Sequence, residues 1–118
     1  MATIKEELAD LAKVEGITST VVVSRDGFVI DGVSTNGSID REAVGAVISA
    51  GLGSSEVMGS ELNVGNMSQM MIEYDNGIIV VNFLGKEAVL ATVADPKANL
   101  GNIRYQIKKR SPAIMAAL

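Results

Sequence analysis

The chain has 118 residues, with 10 Lys and Arg against 14 Asp and Glu, so its net charge is −4. An acidic chain whose only aromatic residues are Phe28, Tyr74, Phe83 and Tyr105 has neither the positive surface nor the stacking platform that nucleic acid requires. Cysteine and histidine are both absent, which excludes disulfides, His/Cys zinc sites and Ser-His-Asp or Cys-His catalysis within the chain.

The N-terminal "MATIKEELAD" is charged and has no signal-peptide apolar run. Thr3 and Glu6 have the spacing of a capping box, each satisfying the other's end of a helical turn. Ile4, Leu8, Leu11 and Ala12 then share one face, predicting a short amphipathic helix that ends near Glu15, with Gly16 as a left-handed stop. "ITSTVVVS" (17–24) and "FVIDGV" (28–33) flank "RDG", a hairpin signal because glycine accepts the positive φ of a tight turn. In the polar loop "STNGSID" either Ser38 or Asp40 is placed to cap a long helix over about 40–62.

Three further strands are expected at "MSQMMIEY" (67–74), "IIVVNFL" (78–84) and "AVLATVA" (88–94), joined by "DNG" and "GKE" turns. Pro96 suits the first turn of a final helix through "NLGNIRYQIKKR". The order α-β-β-α-β-β-β-α, with hairpins on both sides of the middle helix, predicts a five-stranded, mainly antiparallel sheet. The runs "VVV", "IIVV" and "VLA" do not alternate as a sheet with one wet face would. Helices are therefore expected on both faces, giving an α/β/α sandwich formed as a single domain over residues 1–118. No stretch approaches the roughly 18 apolar residues of a membrane span, so a cytoplasmic location without membrane insertion is expected.

The middle helix is unusual because "GAVISAGLGSSEVMG" (45–59) holds four glycines, Gly45, Gly51, Gly53 and Gly59. Each costs a helix about 1 kcal/mol relative to alanine. On a helical wheel Val44, Val47, Ile48, Gly51, Met58 and Leu62 form the expected sheet-facing stripe, with Glu42, Ser49, Glu56 and Ser60 opposite in water. A third face, Ala43, Ala46, Ala50, Gly53, Ser54 and Val57, is neither charged nor bulky. Small residues on a solvent face would be ordinary, and Gly51 suits close packing on the chain's own sheet. Contact with a second chain accounts best for two small-residue faces at once, because it lets two backbones approach along their length. The strand at 67–74 adds Met67, Gln69, Met71 and Glu73 on one face. Methionine serves as core filler or as an adaptable contact surface, and an edge position here would invite pairing with another copy.

Catalytic and cofactor motifs are missing. "GLGSS" (51–55) lacks the Gly-Lys-Ser/Thr of a P-loop and the third glycine of Gly-x-Gly-x-x-Gly. Asp26, Asp31, Asp40, Asp75 and Asp95 sit where turns and caps use aspartate for structure. Arg104, Lys108, Lys109 and Arg110 complement the dipole at the end of the last helix, with an acidic partner or membrane surface as the functional alternatives. No catalytic residue, metal or cofactor is expected, and the chain does not read as an enzyme.

"VEGITSTVVVSRDGFVIDG" and, beyond the long helix, "IEYDNGIIVVNFLGKEAVLATVADPKANLGNIR" resemble the Roadblock/LC7 family, most of all its short prokaryotic MglB-like members. The likeness spans residues 3 to 110, and the order and spacing of its motifs carry it. The resemblance implies a homodimer built by the middle helix and third strand. It also implies binding to a Ras-like small GTPase, which the dimer regulates or scaffolds. Where members stimulate GTP hydrolysis, the resemblance implies repositioning of the GTPase's own groups without an inserted arginine. Of Arg25, Arg41, Arg104 and Arg110, the hairpin residue Arg25 is the one placed to reach a partner. After Arg110, "SPAIMAAL" departs from members with a long C-terminal extension, and Pro112 is expected to kink or stop the helix. The alternative reading is a small-molecule-sensing or general protein-interaction module with the same fold.

Overall fold

Thr3 and Glu6 close the anticipated capping box: the Thr3 N–H donates to Glu6 Oε1 and the Glu6 N–H to Thr3 Oγ1, both at 3.2 Å. In this computed structural model, which describes residues 2–35, 37 and 40–118, they open helix α1 (Ile4–Ala12). The helix stops three residues before the expected Glu15. Gly16 does adopt a left-handed φ of 94°, but in the turn that follows, where its carbonyl accepts from the Asp95 N–H at 2.7 Å.

Strands β1 (Ile17–Ser24) and β2 (Val29–Ser34) form the first hairpin across "RDG". Their register slips between Val22 and Val23, leaving Ile30 as the extra residue of a bulge. Asp40 caps α2 (Arg41–Glu61) by accepting from the Ala43 N–H at 3.2 Å. The competing cap, Ser38, lies outside the described residues. Strands β3 (Gln69–Tyr74), β4 (Gly77–Leu84) and β5 (Ala88–Ala94) follow as two more hairpins. The first of them starts two residues later than expected, beyond a left-handed Gly65.

Helix α3 (Leu100–Ala116) departs from expectation at both prolines. Pro96 lies in a turn closed by the Ala98 N–H on the Asp95 carbonyl, and Asn99 caps the helix instead, accepting from the Asn102 N–H at 3.0 Å. Pro112 is crossed without termination. It deprives the Lys108 carbonyl of its helical donor, but Lys108 is exposed and its carbonyl can be hydrated. Fully buried Ile114 joins Ile103 and Ile107 in the core on that face of the sheet, which anchors the turn after the proline and offsets the lost bond.

The five strands pair in the order β2-β1-β5-β4-β3, and every pairing is antiparallel. Alternate residues of the central strands feed two cores. Val22, Val80, Leu84 and Leu90 pack with Leu8, Leu11, Ile103, Ile107 and Ile114 under α1 and α3. Val21, Val23, Val81, Val89 and Ala91 pack with Leu52 of α2 on the other face. The unbroken apolar runs thus correspond to a sheet covered by helices on both sides. The fold is a mixed α/β sandwich of three helices around an antiparallel sheet.

Cross-strand partners Thr20 and Thr92 are the two buried polar residues among the described residues. Thr20 Oγ1 donates to the Leu8 carbonyl at 3.0 Å and ties α1 to β1, whereas Thr92 Oγ1 is buried with no hydrogen-bond partner among the described residues. Thr92→Val is therefore expected to raise unfolding stability by about 1 kcal/mol and Thr20→Val to lower it by about as much. Urea denaturation of the two variants checks both signs.

Candidate functional site

The orientation of α2 is set by its closest approach to the sheet. Gly45 sits against the hairpin tip, where an added Cβ would overlap the Gly27 carbonyl oxygen and lie 3.1 Å from its carbon. With Gly45 inward, Leu52 is buried and Ile48, Ser49, Ser55 and Glu56 are half-buried. The expected sheet-facing stripe is consequently wrong by about a quarter turn. Val44, Ile48 and Gly51 remain on the flank, but Val47, Met58 and Leu62 are 67%, 60% and 68% exposed. Ser49 and Glu56, expected in water, instead bind the hairpin.

Opposite the sheet, Ala43, Ala46, Ala50, Gly53, Ser54 and Val57 are all exposed. Gly45 is explained within the chain, and so is Gly59, where an added Cβ would lie 3.0 Å from the Gly65 carbonyl oxygen. Gly51 and Gly53 meet nothing within 4 Å, so the chain itself gives no packing reason for them. Val47 and Met58, missed by the wheel, belong to this outer face. The four-and-three spacing Ala43, Val47, Ala50, Ser54, Val57 is the signal that would have found the first of them, since it is the period of a helix–helix seam.

Strand β3 ends the sheet, with β4 as its single neighbour. Gln69, Met71 and Glu73 oppose Asn82, Val80 and Ile78 and so lie on the α1/α3 side; Met70, Ile72 and Tyr74 lie on the α2 side. Met67 precedes the strand and packs into the α2-side core, away from the face of Gln69. Ser55 Oγ lies 3.0 Å from Met70 Sδ, joining α2 to this edge. Of the exposed large hydrophobic side chains among the described residues, Val47, Val57, Met58, Leu62, Val64, Met71, Ile72 and Tyr74 all belong to the α2–β3 stretch. The apolar exposure is concentrated in one helix, its following loop and one edge strand.

Arg25, the residue expected to reach outward, is turned onto its own chain. Its Nη2 lies 2.7 Å from Glu56 Oε1, its guanidinium is 5.2 Å from the Phe83 ring centroid, and its carbonyl accepts from Ser49 Oγ at 3.1 Å. Arg41 pairs with Asp31 at 3.2 Å. Both arginines fasten α2 to the first hairpin. Among the described residues no group of three acidic side chains is placed to hold a metal ion, and no helix is long and apolar enough to cross a membrane.

The Roadblock/LC7 domain model matches residues 3–94. An uncharacterized protein of Methanocaldococcus jannaschii, MJ0310, is 39% identical over 109 residues, covering 92% of this chain and 94% of its own. Among solved structures, MglB of Myxococcus xanthus superposes with a TM-score of 0.88 at 18% identity, over 96% of this chain and 92% of that one. An MglB with a tetrameric arrangement superposes with a TM-score of 0.86 at 16% identity, over 97% and 86%. The two superpositions show a shared fold. With the family model spanning the first helix and all five strands, the chain belongs to the Roadblock/LC7 domain family.

Proposed function

We propose that this protein is a non-enzymatic homodimer that binds a Ras-like small GTPase and regulates or scaffolds it in the cytoplasm. The observation that carries the reading is the outer face of α2, where Ala43, Ala46, Ala50, Gly53, Ser54 and Val57 form an exposed, nearly uncharged stripe beside an open sheet edge. Two copies related by a two-fold axis would set α2 on α2 and bring the β3 edges together, with Met67, Gln69, Met71 and Glu73 contributed from the strand segment. Such a seam removes the exposed edge and covers the apolar stripe in a single contact. The fold shared with MglB and the tetrameric arrangement named for one MglB structure support self-association.

Membership of the Roadblock/LC7 domain family is what supports the GTPase-binding part of the reading. Because Arg25 is held by Glu56 and Phe83, regulation acts by positioning the partner's own groups rather than by an inserted cation. The test is calorimetry against the Ras-like GTPases of the same genome, each loaded with GDP or a non-hydrolysable GTP analogue. One of them is expected to bind with about a tenfold or greater preference for one nucleotide state, since a regulator must discriminate between the states. Arg25→Ala is expected to leave any stimulation of hydrolysis in place. Binding to none, alongside a reproducible thermal shift with one metabolite, would replace this reading with that of a small-molecule sensor.

A further inference from the structure

On the sheet face away from α2, helix α3 packs against α1 and crosses β4, leaving a cleft of about 790 Å³ between itself and the edge strand. Gln69 and Asn82 line its floor, Tyr105 and Met115 its apolar parts, and Arg104 and Lys108 its helical wall. We infer that this cleft is a docking site for an acidic, amphipathic segment of a partner protein, on the opposite side of the sheet from the α2 seam and bordering the β3 edge.

Charge is the first argument. The protein carries a net charge of −4, yet α3 holds Arg104, Lys108, Lys109 and Arg110 and not one acidic residue. Arg104 and Lys108 are one helical turn apart on the wall, both exposed, and neither forms an ion pair among the described residues. Among the described residues no acidic side chain lines the cleft. A negatively charged molecule is repelled by the protein as a whole and attracted here, which confers specificity for this one location.

Side-chain chemistry then separates a protein segment from a lipid surface. Tyr105 and Met115 are 60% and 43% exposed, offering apolar area beside the cations, as a docked amphipathic segment requires. At the floor, Asn82 Nδ2 donates to Gln69 Oε1 at 3.1 Å. This half-buried amide pair gives the cleft a polar, uncharged floor of the kind a peptide backbone matches with its own N–H and C=O groups. The concave shape likewise admits a chain and excludes a flat bilayer.

The experiment is selection of a random display library of segments about 16 residues long against the full protein. Affinities of the enriched peptides are then measured by fluorescence anisotropy. Enriched peptides are expected to combine Asp or Glu with large apolar residues. They should bind Arg104→Glu/Lys108→Glu about tenfold or more weakly than the unaltered protein. Lys5→Glu/Lys97→Glu, which changes net charge equally at exposed sites elsewhere, is expected to bind as before. All four positions are exposed, and circular dichroism verifies that both double variants fold. Enrichment of neutral or basic peptides, equal weakening by both variants, or no enrichment at all overturns the inference. So does cosedimentation with phosphatidylserine vesicles that is lost in Arg104→Glu/Lys108→Glu when no acidic peptide has been selected.

Discussion

Ala50→Glu is expected to convert a dimer into a folded monomer. Ala50 is exposed, points away from the sheet and has no role in either core, so the variant should keep the circular dichroism of the parent. In the proposed two-fold seam every substitution occurs twice, and two carboxylates would be buried within a contact that provides no cation. Leaving a buried charge uncompensated costs roughly 3–5 kcal/mol, which raises a dissociation constant by a factor of a hundred or more. Sedimentation velocity over a wide concentration range reads the change directly. Ala50→Ser, which preserves the small volume, is expected to remain dimeric. A dimeric Ala50→Glu would move the contact off α2, and a monomeric parent would remove the contact altogether.

Gly45→Ala is the second large effect, with a different signature. Here the added methyl meets backbone, the Gly27 carbonyl, and neither the helix nor the hairpin tip can yield without disturbing Val29 and the Ser49–Arg25 bond. Overpacking of this kind costs typically 1–3 kcal/mol, from which the better helix propensity of alanine recovers at most about 1. A net loss of about 2 kcal/mol is expected, a fall in Tm of roughly 10 °C for a chain of this size. The same change at Gly53, where an added Cβ meets nothing, should stabilise the helix once α2 is held monomeric by Ala50→Glu. Calorimetry of the two alanine variants in that background thus tests whether glycines in one helix serve opposite purposes. If both lower Tm alike, the close approach at Gly45 is not what distinguishes them.

Those two glycines also mark where the sequence was legible and where it was not. β1 and β5 were readable to the residue, because β-branched runs bounded by Asp-Gly and Gly-Lys-Glu turns carry local information about extended chain. The capping box at Thr3 and the cap at Asp40 were readable for the same reason: both bonds close within three residues. The rotation of α2 was not. Bulk placed Val47, Met58 and Leu62 against the sheet, whereas the packing partner of Gly45 is a turn eighteen residues away whose position no local pattern encodes. Arg25 was misdirected likewise, since Glu56 and Phe83 reach it only once α2 and β4 are in place. Met67 was misplaced because strand alternation was extended two residues too far: β3 begins at Gln69, and Met67 packs into the α2-side core. Pro96 and Pro112 misled because proline restricts its own backbone, while Asn99 and Ile114 determined where α3 starts and how far it continues. The candidate interface was foreseeable as a composition, a helix too rich in small residues. Its exact membership needed the fold.

Strand β5 lies between β1 and β4, yet it is the last of the five to leave the ribosome. Until residue 94 has been synthesised, the first hairpin and the β3–β4 pair have no common neighbour, and four of their apolar faces are without a joint core. Assembly must wait for a late segment to insert between two early ones, a high-contact-order route that slows folding and leaves half-built sheets open to misassociation. Nascent chains halted short of Ala88 should therefore be digested readily by protease, and protection should arrive only once the final strand and the α3 residues that cover it have emerged.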